Sequence, residues 1–121
     1  MVDFTPEISE VLKSHNDKRN QIAGGQLNGF LPAVQMAEMQ WDNELAQLAV
    51  LNVKQCVMEH DSCRNTAQFA WAGQNLFSKR FIGTSLENSI LISEAINAWW
   101  SENKDSNMDQ INSFPENYNG P

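Results

Sequence analysis

Apolar residues recur at helical spacing in three stretches of the chain and alternate with period two in one. Ile8, Val11, Leu12, His15, Arg19 and Ile22 share one face of a first helix. Thr5-Pro6-Glu7 starts it, with a hydroxyl N-cap, a proline in the first turn and an acid behind it. Gly24-Gly25 stops it. His15 and Arg19 are read as half-buried polar residues tying this helix to a neighbouring loop. Residues 24–40 are irregular, broken by Gly29 and Pro32, and their pattern is compatible with a short helical turn around Ala33 to Glu38. Asp42 caps a second helix whose apolar stripe is Leu45, Leu48, Ala49, Val53 and Cys56. His60 extends that stripe at the helix's C-terminal end, where an imidazolium interacts favourably with the dipole.

Residues 61–66 are polar and turn-like. Gln68 to Phe77 reads as a strand, with Phe69, Trp71, Gly73, Asn75 and Phe77 on one side and Ala70, Ala72, Gln74 and Leu76 on the other. After a connector, a third helix spans about Ser89 to Asn103, burying Ile92, Ala95, Ile96 and Trp99 and placing Glu102 on the same side. Trp99-Trp100 reads as core with partial exposure. Residues 103–121 show neither period and are expected to be loop. The elements form one α/β domain over residues 1–121, without repeats.

Composition narrows the function. Of 121 residues, 41% are hydrophobic and 19% charged, which is globular, and the net charge is −7. So acidic a chain lacks the phosphate-neutralising surface of a nucleic-acid binder and gains nothing from anionic lipid. No apolar run has the length of a membrane span. Met1 to Glu10 shows no signal-peptide pattern.

Chemically particular residues gather between Cys56 and Phe77. The two cysteines, seven positions apart, either close a small disulfide loop around His60 or stand as two free thiols. The bond would be worth about 2 kcal/mol through the unfolded state. The spacing excludes a C-x-x-C metal knuckle, and without a C-x-x-C a redox-active pair is not expected. No phosphate loop or nucleophile motif is present. His60, Gln74 and Glu102 lie on or beside inward-facing stripes and are expected to meet in one cleft. His60 and Glu102 suit a metal such as zinc, or a general base with its partner, although a zinc centre ordinarily has three or four protein ligands.

Five motifs in order carry a family resemblance: His15-Asn16-x-x-Arg19, Trp41-Asp42-x-x-Leu45-Ala46, Cys56-x-x-x-His60-Asp61-x-Cys63-Arg64, Gly73-Gln74-Asn75-Leu76 and Trp99-x-x-Glu102. Together they resemble the CAP superfamily (cysteine-rich secretory proteins, antigen 5, pathogenesis-related 1), most of all its insect antigen 5-related branch. The resemblance implies a three-layer α-β-α sandwich, incomplete at the C-terminal end, in a secreted protein. It also implies a cleft of two histidines and two acidic residues. His60 matches the first histidine, Gln74 the first acidic position and Glu102 the second. The other histidine belongs to a Gly-His-(Phe/Tyr)-Thr-Gln motif that would follow Pro121. Gln74 puts an amide where the family has a carboxylate, which weakens zinc or another divalent metal as a cofactor.

The function implied is that of a secreted, non-enzymatic antigen 5-like protein binding lipid, sterol or a protein partner. The alternatives are a cleft hydrolase using His60 and Glu102, and a truncated paralogue without independent activity. An incomplete sheet would also leave the strand at Gln68 to Phe77 with an apolar edge, through which the chain would self-associate.

Overall fold

The computed structural model describes residues 5–83 and 85–113. The chain divides into two compact units, Met1–Met39 with Ser85–Pro121, and Gln40–Thr84. The first contains helices α1 (Ile8–Ala23), α3 (Asn88–Ser101) and α4 (Met108–Asn112), and the second contains α2 (Asn43–Lys54).

In the first unit a 3-10 turn at Thr5–Glu7 leads into α1. The helix ends at the glycine pair as expected, with Gly24 N–H bonded to Asn20 O and Gly25 N–H to Ile22 O, both at 2.9 Å. Gly25 has φ +69°, and a Cβ there would lie 2.7 Å from Pro32 Cγ. Both the left-handed backbone and the close approach require glycine. α1 packs on α3, whose buried side chains are Ile92, Ala95 and Ile96. At this contact the His15 and Trp99 rings tilt against each other at 6.4 Å, and the Lys18 ammonium sits 5.2 Å from the Trp100 ring centroid.

The polar side of α1 grips the segment that follows it. Arg19 donates through Nε and Nη2 to Ala37 O, at 2.9 and 2.7 Å. Asn16 donates to Met39 O and accepts from Met39 N–H. Arg19 therefore has the expected loop-tying role. His15 does not share it, because its Nδ1 bonds Val11 O in its own helix at 2.8 Å. Ala33 to Glu38 forms no helical turn.

Residues 103–113, expected to be loop, instead hold a 3-10 turn at Glu102–Asp105 and the short helix α4. Asn107 caps α4 through Asp109 N–H and Gln110 N–H, and the Gln110 side chain returns a bond to Asn107 N–H. This capping box satisfies donors that a helix of five residues otherwise leaves open. Residues 114–121 lie outside the described part.

In the second unit Asp42 caps α2 as expected, its Oδ1 accepting from Leu45 N–H at 2.8 Å. The stripe is rotated from its expected position. Leu45 and Leu48 are half-buried, Val53 is 64% exposed, and the buried residue is Asn52. The helix stops at Lys54, so neither Cys56 nor His60 extends it. Cys56 turns the chain with φ 57°, the left-handed conformation usually given to glycine after a helix.

The expected three-layer α-β-α sandwich is not what the chain forms. The described residues are helical or irregular, with no strand among them. Residues 71–77 keep the alternation but lack the ladder, and Ala70, expected on the side of Ala72, is exposed. Ala72, Gln74 and Leu76 are half-buried, whereas Trp71, Gly73, Asn75 and Phe77 are exposed. Several backbone groups of the segment 68–77 are taken by nearby side chains, and Phe69 O accepts from the Thr66 backbone N–H at 3.0 Å. Asn65 Oδ1 accepts from Ala72 N–H at 2.9 Å, Arg64 Nε donates to Ala72 O at 3.0 Å, and Thr66 Oγ1 accepts from Phe69 N–H at 3.0 Å. A strand exists through bonds to a neighbouring strand. Ala72 N–H, Ala72 O and Phe69 N–H bond instead to side chains, and among the described residues the expected sheet edge is absent with the sheet.

Ile96 is 5% exposed at the α1–α3 contact, whereas Ile111 on α4 is 64% exposed. Ile96→Ala should cost about 2–5 kcal/mol in chemical denaturation, and Ile111→Ala less than about 1 kcal/mol. Equal effects would contradict this placement of the core.

Candidate functional site

The site lies in the loop after α2, and Asp61 organises it. All of Asp61's hydrogen-bonding groups are engaged. Its backbone N–H donates to Gln74 Oε1 at 3.1 Å, and its carbonyl accepts from Arg64 Nη1 at 2.6 Å. Its Oδ1 accepts from Gln55 Nε2 at 2.9 Å, and its Oδ2 from Gln74 Nε2 at 3.0 Å. Arg64 carries the same clamp on to Ala72 O. Asn52, buried on α2, donates to Glu59 O at 3.0 Å and so draws the returning chain back onto the helix.

Side-chain hydrogen bonds from Asn52 and Gln74, then from Gln55, together with the Arg64 charge, outweigh desolvation and hold the Asp61 carboxyl below its ordinary pKa. Each donor favours the ionised form, so the network and the charge reinforce one another.

His60 is exposed and reaches Gln74, with Nδ1 3.0 Å from Oε1. Of the three residues expected to share a cleft, the structure brings His60 and Gln74 together. Glu102 begins the 3-10 turn after α3, is exposed, and belongs to the other unit. Cys56 and Cys63 are exposed free thiols, not the disulfide that was one of their two expected states.

Among the described residues no group of three or more histidines, cysteines, aspartates or glutamates is placed to hold a metal ion. The donor chemistry around His60 does not fit a zinc centre either. Its neighbour is a neutral amide whose oxygen already faces two nitrogens.

Sequence reasoning had not assigned roles to Asn52, Gln55, Asp61 and Arg64. The signal for two of them was present in the His-Asp-x-Cys-Arg motif. Asn52 also carried one, as a polar residue seven positions after Leu45 and four after Leu48 on one helix face.

The lowered Asp61 pKa sets a direction for pH dependence. The folded carboxyl releases its proton more readily than the unfolded one, so its contribution is complete above the ordinary value of 3.8 and disappears as pH falls through the lower folded value. A carboxyl-carbon NMR titration should place the Asp61 midpoint below 3.8, and Asp61→Asn should abolish the accompanying shifts of the Gln74 side-chain amide. A midpoint at or above the ordinary value would contradict the network.

Comparison with known proteins gives this site its relatives. Residues 12–119 match the CAP model, described as the cysteine-rich secretory protein family. The chain is 46% identical over 110 residues to the antigen 5 like allergen Cul n 1 of Culicoides nubeculosus, covering 91% of this chain and 49% of that protein. It is 38% identical over 111 residues to venom allergen-1 of Aedes aegypti, covering 92% and 43%. It is 38% identical over 114 residues to venom allergen 5 of Rhynchium brunneum, covering 90% and 48%. The chain thus spans about half the length of these curated relatives. No solved structure matches it. The ordered motifs around His15, Trp41, His60, Gln74 and Trp99 and the family match over nearly the whole chain agree: this chain belongs to the CAP family, among antigen 5 and venom allergen proteins.

Proposed function

We propose that this chain acts as an extracellular, non-enzymatic antigen 5-like protein that binds an apolar ligand of the lipid or sterol class. The observation that carries the reading is the apolar character of the exposed segment following the Asp61 network. Trp71 is 95% exposed, and Phe69, Phe77, Phe81 and Ile82 are exposed as well. Large apolar side chains held in water by a polar framework favour an apolar partner, because covering them releases their hydration. The acidic net charge makes that partner one held by apolar contact and not by anionic headgroups. Extracellular placement is supported by the description of the family as secretory and by relatives named as venom allergens. Among the described residues no helix is long and apolar enough to cross a membrane.

The chemistry around His60 supports binding better than hydrolysis. Its described hydrogen bond is to an amide, and no hydroxyl or thiol nucleophile joins that bond. A fluorescent-sterol titration and partition onto neutral phosphatidylcholine vesicles test the proposal. Saturable binding is expected in at least one, weakened about tenfold by Trp71→Ala, the scale of losing one large apolar contact. Two null titrations would remove the lipid and sterol reading.

A further inference from the structure

Gln74 occupies a position where its two polar atoms face groups of opposite demand. Oε1 lies 3.1 Å from Asp61 N and 3.0 Å from His60 Nδ1, and Nε2 lies 3.0 Å from Asp61 Oδ2. A backbone N–H can only donate, and an ionised carboxylate can only accept. Rotating the amide by half a turn would set NH2 against N–H and oxygen against carboxylate, two repulsive contacts in place of two bonds. The orientation of Gln74 is therefore fixed by Asp61. With Oε1 facing Nδ1, the imidazole makes its hydrogen bond only if Nδ1 carries the proton.

We propose that Gln74 is a positioning residue that holds neutral His60 as the Nδ1–H tautomer, leaving the Nε2 lone pair toward solvent, and that Asp61 requires an amide at position 74. A solvated neutral histidine side chain favours the opposite, Nε2–H form, so the arrangement inverts the ring's intrinsic preference. The described residues give Nε2 no hydrogen-bond partner, and His60 is exposed. It thus becomes an acceptor of fixed direction for a ligand hydroxyl or N–H.

The same geometry explains why a carboxylate is unsuited to position 74. Glutamate could accept from His60 and from Asp61 N–H, but it would bring a second negative oxygen against Asp61 Oδ2 in place of a donor. Gln74 and Asp61 act as a matched pair, and exchanging amide and acid between them should preserve the match. In Gln74→Glu with Asp61→Asn, the Asn amide donates to the Glu carboxylate and the backbone N–H keeps its acceptor.

The test uses the chain of residues 1–121, labelled with nitrogen-15, at about pH 8. Long-range proton–nitrogen spectra distinguish the tautomers, and His60→Gln assigns the signals. Wild-type His60 should be Nδ1–H, a measurement that needs no variant to fold. Gln74→Met should return it to mostly Nε2–H with helical circular dichroism unchanged. Hydrogen exchange at the Asp61 amide, corrected for intrinsic rates, should accelerate about tenfold in Gln74→Glu, the scale of one lost hydrogen bond. Adding Asp61→Asn should restore it to within about threefold. A wild-type Nε2–H signal, an Nδ1–H signal that survives Gln74→Met, or a double variant exchanging as fast as Gln74→Glu would overturn the proposal.

Discussion

The loop after α2 depends on the saturation of one residue, Asp61. Its carbonyl, amide and both carboxylate oxygens each have a partner, and those partners are Gln55 just after α2, Arg64 in the adjoining turn and Gln74 in the segment beyond. The bonds to the two carboxylate oxygens favour the ionised state, and the bonds to the backbone N–H and carbonyl fix its place in the loop. The arrangement holds residues 55–74 in register without a sheet. Remove the carboxylate, and Gln74 loses one of the two contacts that fix its orientation, keeping only the Asp61 backbone N–H on Oε1; the His60 ring is then held less firmly.

In the other unit, apolar packing and polar gripping are divided between two sides of α1. Its contact with α3, whose buried side chains are Ile92, Ala95 and Ile96, also sets His15 against Trp99 and Lys18 over Trp100. Its polar side uses Asn16 and Arg19 to satisfy backbone groups of residues 37–39, which no regular element would otherwise pair. Glu7 provides another link, accepting from the Asn88 side chain at the start of α3 at 3.0 Å. The family motif His15-Asn16-x-x-Arg19 thus separates by function. Asn16 and Arg19 shape the chain, while His15 bonds to its own helix and leans on Trp99.

Much of this was legible in the sequence where the controlling interaction is local. The glycine stop of α1, the Asp42 cap and the buried face Ile92, Ala95, Ile96 are set by residues within a few positions of one another. The α4 capping box was equally local but short, and the polar composition around it concealed it. The buried face of α2 was misread because its decisive residue is polar. Asn52 is buried since its amide has partners after the helix, a fact no periodicity of apolar residues contains. His60 and Gln74 could be paired from their place in the motifs. Asp61, which makes that pairing specific, read only as part of a turn.

Sequence by itself determined the family, the three longer helices and the period-two alternation of residues 71–77, because these follow from residue identity, spacing and short-range bonds. Tertiary structure alone decided that the alternation does not become a strand. Arg64, Asn65 and Thr66 satisfy backbone groups to which a neighbouring strand would otherwise bond. It alone also decided the state of His60, since a tautomer depends on which atoms of Gln74 and Asp61 face the ring. Such facing is a property of three residues brought together across the loop, and a hydrogen bond's direction is defined only once both partners are in place.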